Sequence, residues 1–449
     1  MKSFYDIIVI GAGPAGMAAA LAAAEKAPQC SIALIEREEH IGGILKQCIH
    51  DGFGLIRFKE RLTGPEYAWR YRDMLAAHSN IEILVSTFVI RIRKTEGGSG
   101  GFELTFSNPH DGIFSLCCTA LISATGCRER TDRQVFIHGD RPSGIFTAGQ
   151  AQAFINLKGF LPGKRFVILG SGDIGLIMAR RLTLETAEIG GSVEGVYEVK
   201  GEPSGLTRNI VQCLEDYGIP LRLSTTVSRL HGAERLEGVT VTRVDGRMRP
   251  LAGTERYVPC DTLILSVGLI PENDILDSLA PEMDARTKGP QVNQYMETTV
   301  PALFSCGNAL HVNDLVDYVS ESGAIAGERA AALRVQPAEK REIPLYAGKT
   351  LLYQTPARIV PDGKQAVLYF RTAAQRGKTI LTISAEIERE TDAEERDADG
   401  LQPRRKNGVV IFKKTYRSLK PPEMERLELN TALIPANTRA LRCSLEDAE

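Results

Sequence analysis

Residues 7–10 read Ile-Ile-Val-Ile, and glycines follow at once. A short β-branched apolar run of this kind reads as a buried parallel strand. Gly11, Gly13 and Gly16 stand at G-x-G-x-x-G spacing, with Pro14 and Ala15 inside it. The first glycine permits a tight turn, the second lets backbone approach a pyrophosphate, and the third lets a helix pack against the strand. Residues 17–26 are alanine-rich and helical, so their free N–H groups and positive dipole end would face phosphates. Residues 31–35 form a second strand, and Glu36 closes it 20 residues past Gly16. An acid there accepts a hydrogen bond from a ribose 2′-OH. The glycine spacing alone is weak evidence, and its bland alternative is a fortuitous turn. The full order of strand, glycines, helix, strand and acid predicts a bound dinucleotide.

The pattern returns. Residues 165–169 are a strand, Gly170, Gly172 and Gly175 repeat the spacing around Asp173 and Ile174, and a helix follows. Residues 193–197 form the next strand, and Glu198 ends it 23 residues past Gly175. An internal repeat of a nucleotide-binding unit is far more specific than either copy. Glu198 favours NAD over NADP, because a 2′-phosphate would meet its charge. Lys200 and Arg208 nearby would soften that preference.

The chain has 449 residues, enough for two to four domains and a large core. Lys plus Arg total 54 against 56 for Asp plus Glu, which argues against a nucleic-acid surface. Nine scattered cysteines contain no C-x-x-C, so neither a zinc ribbon nor a thioredoxin-type dithiol is written here, and no metal is expected. Reduced, buried thiols in a cytoplasmic protein are the simple reading. Residues 7–24 carry no charge and imitate a signal peptide or membrane span, but the nucleotide turn explains them. No other uncharged stretch is long enough to span a bilayer.

After Glu36 and Arg37, Gly42 and Gly43 permit close approach to a ligand, and the glycine-dense stretch to Gly54 reads as a loop carrying Cys48 and His50. A helix is expected at 63–77, a strand at 81–85, and a hairpin of 88–95 with 102–106 around 97–101. The apolar strand 117–124 ends in Ala124-Thr125-Gly126, and strand 262–267 ends in a matching turn at Gly268. Residues 144–149 read as a strand and turn, 209–217 as a helix, 220–223 as a strand, and 239–244 as part of a hairpin. Strand 302–306 precedes Gly307-Asn308, and helix 318–333 carries Gly323, Ala326 and Ala330 on one face. Beyond Leu333, residues 343–360, 366–371, 378–387, 409–417 and 426–429 are β-rich and suggest a sandwich. Residues 388–406 read as a solvated hairpin loop. The expected fold is therefore α/β: two nested doubly wound (Rossmann-like) dinucleotide-binding domains plus a small β-rich C-terminal domain. The boundaries are 1–158 and 291–335 for the first domain, 159–290 for the second, and 336–449 for the third.

Two such units, with a late Gly-Asn turn, resemble the two-dinucleotide-binding flavoproteins of the pyridine nucleotide-disulfide oxidoreductase type, over about residues 4–333. Glutathione reductase, thioredoxin reductase and NADH oxidases belong there. The resemblance implies FAD on the first unit, NAD(P)H on the second, and an FAD domain interrupted by the NAD domain. Gly11, Gly13, Pro14, Ala15, Gly16, Glu36, Arg37, Gly42, Gly43, Thr125, Gly126, Gly307 and Asn308 carry over to FAD. Gly170, Gly172, Asp173, Ile174, Gly175, Glu198 and Gly268 carry over to NAD(P)H, with NADH favoured. Two departures stand out. Asn308 replaces the Asp that hydrogen-bonds the ribityl chain in that family, which changes the electrostatics there. Leu45 takes the first redox-cysteine place and Cys48 matches neither, so no redox disulfide is expected.

The strings at 42–54, 144–152, 159–185 and 311–327 look more narrowly like the FAD/NAD(P)-binding subunits allied to hydrogen cyanide synthase, opine oxidase and dye-linked proline dehydrogenase. Similar subunits accompany glycerol-3-phosphate dehydrogenase-like flavoproteins. This resemblance fixes no substrate but implies a partner flavoprotein subunit.

Cys48 is the sharpest chemical candidate: a thiolate there would pair with FAD or oxidise to a sulfenic acid, and His50 would hold it or protonate a substrate. A packing cysteine is the structural alternative. Cys117 and Cys118 would point to opposite faces of a strand, and Cys306 reads as core. Arg128 and Arg130 suit either a phosphate or salt bridges. His311, Asn313 and Asp314 are expected to approach the flavin's pyrimidine side. The resulting expectation is an oxidoreductase passing hydride from NAD(P)H to FAD and on to a partner flavin, quinone, dye or dioxygen. The alternatives are an FAD subunit of an amine, opine, proline or glycerol-3-phosphate dehydrogenase, and a nucleotide-binding scaffold. A homo-oligomer is compatible with all three.

Overall fold

The structure, a computed structural model, describes residues 2–95, 101–333, 341–387 and 408–448. Strands Phe4–Ile10, buried from Tyr5 onward, and Ile32–Ile35 are covered on both faces, which is why they pair in parallel at the centre of a sheet. The strand order is Ile81–Leu84, Ile32–Ile35, Phe4–Ile10, Gly112–Ser123, Phe102–Asn108 and Phe88–Lys94, and Leu303–Ser305 adds to Gly112–Ser123. Val9 lies opposite both Leu34 and Ile122. Leu303–Ser305 arrives from far along the chain and joins this first sheet in parallel, so the first unit is interrupted.

Helix packing closes the unit. Helix Pro14–Lys26 meets helix Val316–Leu333 backbone to backbone. A Cβ at Gly323 would lie 2.1 Å from Ala15 O, and one at Gly327 would lie 2.0 Å from Ala19 O. Only glycine admits that approach.

The second unit is a parallel sheet in the order Ile145–Thr147, Thr262–Leu265, Arg165–Leu169, Ser192–Tyr197 and Leu221–Arg222. Beside it lies a four-stranded sheet of His138–Gly139, Thr225–His231, Gly238–Arg243 and Arg256–Pro259. The second sheet begins at Ile145, earlier than the expected boundary at 159. The reading of 144–149 as strand and turn missed helix Ala148–Lys158, which opens on a capping box between Thr147 and Gln150 and ends at Gly159 in the left-handed region.

Other elements shift for local reasons. The loop at 42–54 holds a 3-10 helix, Gly43–Gln47, and a short strand, Asp51–Phe53, paired to Leu62–Thr63. Thr63 caps helix Gly64–Ala76 through a second capping box with Glu66. The expected helix 209–217 is Thr207–Cys213 followed by a 3-10 turn, Glu215–Tyr217. Strand 117–124 begins earlier, at Gly112.

The C-terminal part is a two-sheet sandwich. One sheet runs Arg358–Ile359, Ile343–Ala347, Thr438–Asp447, Thr379–Ile387 and Val409–Tyr416; the other runs Leu351–Thr355, Gln365–Thr372 and Glu425–Asn430. Leu381, Ile383 and Ala385 of the first meet Leu368, Phe370, Leu427 and Leu429 of the second in a core of their own. The solvated loop expected at 388–406 and most of the hairpin tip expected at 97–101 lie outside the described residues. No helix among the described residues is long and apolar enough to cross a membrane.

The close helix contact makes a direct prediction. Gly323→Ala drives a methyl into the Ala15 carbonyl, so it should destabilise the protein by about 1–3 kcal/mol. Thermal denaturation checks this: an unchanged midpoint would show that the two helices separate freely.

Candidate active site: two repeated nucleotide turns

At the first turn, Gly11 adopts φ +96°, and its N–H donates to Ile35 O at 2.8 Å. A Cβ on Gly11 would lie 2.4 Å from Ala124 O, and one on Gly16 would lie 1.7 Å from Gly11 O. The bend is thus clamped between the Ala124 turn and the helix. Gly13 is different: among the described residues a Cβ there meets only Gly43 Cα, at 4.0 Å. Glu36 is buried. Its Oε2 accepts from Ala12 N at 2.9 Å and its Oε1 from Glu38 N at 3.0 Å. A carboxylate offers about four acceptor positions, so two remain open.

The second turn repeats this geometry. Gly170 adopts φ +99°, donates to Tyr197 O at 2.7 Å, and leaves 2.0 Å between its absent Cβ and Ser266 O. A Cβ on Gly172 would meet only Ser266 Oγ, at 3.8 Å, among the described residues. Glu198 Oε2 accepts from Ser171 N at 3.0 Å and Ser171 Oγ at 2.6 Å, and its Oε1 accepts from Lys200 N at 3.1 Å.

Helix starts elsewhere in the two units show why these turns fit a phosphate ligand. Helices Gly64–Ala76 and Ala148–Lys158 are each closed by a threonine cap. Those beginning at Pro14 and Asp173 have only glycine at the cap and no side-chain hydrogen bond to it among the described residues. Their leading N–H groups are left for a ligand.

The two units meet beside these turns. Cys127–Glu129, just past Thr125 and Gly126, pairs antiparallel with Leu269–Pro271, just past Gly268. Thr125 Oγ1 donates to Glu272 O at 2.6 Å, and Gly126 O accepts from Glu272 N at 3.0 Å. Arg37 pairs with Glu272 at 3.4 Å and Arg128 with Asp274 at 3.2 Å, so Arg128 is engaged in an ion pair. Arg130 is exposed, and its N–H donates to Gly268 O at 3.1 Å. Asp173 turns away from its turn: its Oδ1 accepts from Leu206 N at 2.8 Å and Asn209 Nδ2 at 2.7 Å. Ile174 follows it in the same helix, packed against the second unit's core, and Arg208 is exposed.

A third turn closes on the first. Gly307 adopts φ +63° against helix Pro14–Lys26, where its Cβ would lie 2.7 Å from Ala15 Cβ. Asn308 Oδ1 accepts from Asn313 N at 3.0 Å and Asn313 Nδ2 at 3.3 Å, while its own Nδ2 approaches Cys127 Sγ at 3.7 Å. Asn313 Oδ1 is buried without a hydrogen-bond partner. His311 and Asp314 do not share the direction expected for them. His311 is buried between the rings of Tyr353 and Tyr369, at 5.7 and 5.4 Å. Asp314 holds Arg371 and accepts from Met424 N at 2.6 Å. Both face the C-terminal sandwich.

Cys48 and His50 are not brought together. The 3-10 helix Gly43–Gln47 ends at Cys48, whose Sγ donates to Ile44 O at 3.3 Å. Burial pushes this thiol up to about 12, which disfavours the thiolate. The His50 ring instead packs on Phe53 at 5.0 Å. Cys306 is core, as read, and the half-buried Cys117 and buried Cys118 occupy alternating faces. All nine cysteines are free thiols. Sequence reading missed the seam beside Cys48, where Gln47 Nε2 donates to Gly149 O at 2.8 Å and Asn156 Nδ2 donates to Gln47 O at 2.8 Å. Its one sequence signal was the Thr147–Gln150 capping spacing.

The profile of the family described as pyridine nucleotide-disulphide oxidoreductase matches residues 5–356, well over half of the chain. The chain belongs to that family. Members of that family are FAD- and NAD(P)-dependent oxidoreductases. Among curated relatives, an opine oxidase subunit of Agrobacterium tumefaciens (strain Ach5) is 24% identical over 329 residues, which is 69% of this chain and 62% of that protein. Hydrogen cyanide synthase subunit HcnB of Pseudomonas protegens is 24% identical over 318 residues, 67% of this chain and 65% of that protein. The chain thus spans less than two thirds of the length of these relatives. Thioredoxin reductase of T. acidophilum shares the fold, with TM-score 0.59 and 21% identity over 75% of this chain and 100% of that one. A NAD-dependent persulfide reductase of A. fulgidus has TM-score 0.55 and 17% identity, over 86% and 68% of the two chains.

Two expected outcomes follow from the titratable groups. At pH 8, Cys48 should react with iodoacetamide about a thousandfold more slowly than an ordinary thiol, because so little thiolate is present; peptide mapping reads this, and rapid labelling would overturn it. His311 is pushed down to about 3, by burial first and by Arg371 second. It is neutral in the fold, while the unfolded chain takes up its proton below about 6.5. Stability should therefore fall as pH drops from about 6.5 toward 3. His311→Phe should flatten that fall in thermal midpoints measured across the range.

Proposed function

We propose that this chain oxidises NAD(P)H at its second turn and passes the electrons through FAD, held at its first, to a partner flavoprotein or small acceptor, without a redox disulfide. The observation that carries the reading is the duplicated turn: two uncapped helix starts, each with a buried carboxylate already bound to the turn's own backbone. When bound, the flavin supplies the hydride and electron chemistry.

The chain's residues do the rest. The N–H groups at the starts of helices Pro14–Lys26 and Asp173–Thr186 bind the pyrophosphates. Glu36 and Glu198 orient the riboses, and the negative charge of Glu198 disfavours a 2′-phosphate, which makes NADH the favoured reductant. Gly43 lies over Gly13 and helps exclude water from that turn. Asn308 presents a neutral amide to the ribityl chain, where the resembling family presents a carboxylate. Cys48, kept as a thiol, serves packing and not electron transfer.

A second reading is favoured by the relatives described as subunits of opine oxidase and of hydrogen cyanide synthase. In that reading the chain is the FAD-containing subunit of an amine, opine, proline or glycerol-3-phosphate dehydrogenase complex, and electrons enter from the organic substrate.

Anaerobic mixing separates the two. NADH should bleach the bound flavin and NADPH should do so less well. Gly172→Val should keep the yellow colour and lose NADH bleaching, whereas Gly13→Val should yield a colourless protein. Bleaching by an amine, proline or glycerol 3-phosphate, with none by NADH, would overturn the first reading in favour of the second.

A further inference from the structure

The family match ends at residue 356, yet the turn that carries Asn308 is held from beyond that point. Arg371, on strand Gln365–Thr372 of the sandwich, is the centre of the hold. Its side chain is 12% exposed. Its Nε donates to Tyr353 Oη at 3.0 Å, and its Nη1 donates to Pro422 O. Its Nη2 donates to Asp314 Oδ1 and, at 3.4 Å, to Val312 O. Asp314 is gripped a second time from the sandwich, by Met424 N at 2.6 Å. His311 is wedged between Tyr353 and Tyr369, with its Nδ1 at 3.5 Å from Tyr353 Oη.

The gripped residues lead straight back to the nucleotide site. Residue 313, between Val312 and Asp314, is the asparagine whose N–H and Nδ2 both donate to Asn308 Oδ1. His311 N donates to Gly307 O at 3.3 Å. The orphaned acceptor, Asn313 Oδ1, is buried beside Asn308 and still lacks a donor. A polyol chain supplies hydroxyl donors, and an unpaired buried acceptor costs free energy until one arrives.

We infer that the C-terminal sandwich is part of the flavin site, with Arg371 as the residue that positions Asn308 and Asn313 for the ribityl hydroxyls of FAD. The inference rests on the reading that FAD occupies the first turn. Arg371 touches no ligand atom itself; it acts through residues 312–314. Its rigid planar fork reaches acceptors on several sides at fixed angles, a geometry that the compact ammonium of lysine on its flexible stem does not reproduce. Asn308 is oriented with its oxygen spent on Asn313, so it meets the ribityl chain as a donor, and Asn313 meets it as an acceptor. The sandwich therefore decides how tightly FAD is held, chiefly through Arg371 and Met424, which lie past the end of the family match.

The full-length protein tests this by equilibrium FAD binding, with NADH binding at the second turn as an internal control. Arg371→Gln should raise the FAD dissociation constant at least tenfold and leave NADH binding unchanged. Arg371→Lys, which keeps a charge opposite Asp314, should recover part of the loss. Arg426→Gln separates positioning from general loosening. Arg426 joins the same seam through Glu321, with Nε to Oε2 at 2.9 Å and Nη2 to Oε1 at 2.6 Å, and makes no hydrogen bond or ion pair with residues 307–314 among the described residues. It should change FAD affinity less than threefold. Should Arg371→Gln fail to fold, Asp314→Asn weakens the same grip more gently and should still cost severalfold in FAD affinity. Unchanged affinity in the Arg371 or Asp314 variants, or an equal loss in Arg426→Gln, overturns the inference while leaving the flavin reading intact. A wild-type chain that binds no FAD overturns the flavin reading itself.

Discussion

A carbonyl oxygen of Ala15 occupies the place where residue 323 would otherwise carry a side chain. That one steric demand brings helix Val316–Leu333 down onto helix Pro14–Lys26 and sets Gly307 beside the start of the first helix. Together with the parallel pairing of Leu303–Ser305 to Gly112–Ser123, the contact places the third turn beside the first. Close backbone approach gains dispersion contacts that larger side chains would forfeit at this separation. It also makes the arrangement intolerant of change, since a packed interior cannot yield by two ångströms.

Each buried acid shows how electrostatics follows from this scaffold. Glu36 and Glu198 sit at the ends of their strands, where backbone N–H groups of the adjoining turn point at them. The carboxylates accept those bonds, which offsets the cost of burying charge. The same backbone that bends at the glycines thus also fixes each carboxylate. Burial has the opposite effect on Cys48 and His311, where charge finds no such compensation and both side chains stay neutral.

The nucleotide turns were legible because their constraints are local. Strand, glycine spacing, helix and acid all fall within about thirty residues, and Gly16 and Gly175 answer Gly11 and Gly170 five positions back, although Gly11 and Gly170 themselves answer Ala124 and Ser266 far along the chain. Nesting was legible for the same reason, since the pattern occurs twice. Helix Ala148–Lys158 escaped because its apolar face is short and its start is written only in Thr147 and Gln150. Cys48 was open between a reactive and a packing cysteine, and the burial that raises its thiol and favours packing is not revealed by its neighbours in sequence. His311 and Asp314 were assigned a flavin-facing direction, while their partners, Tyr353, Tyr369 and Arg371, lie 42 to 58 positions away on strands of another sheet. No local pattern could place those strands against that turn. Asp173 illustrates the remaining gap: its position in the motif was plain, but its orientation toward Asn209 was not.

The bare glycine caps at Gly13 and Gly172 have one more consequence. A helix capped by glycine forgoes about a few tenths of a kcal/mol that serine, threonine or aspartate would return, and its leading N–H groups stay unpaired. Here that deficit falls on the helices at the heart of the two units, and a phosphate diester is the group shaped to make it good. Ligands bound at these two turns would then be structural members as well as reagents. A freshly synthesised chain would be at its softest before loading, and its resistance to heat and proteases would rise with the concentrations of both ligands.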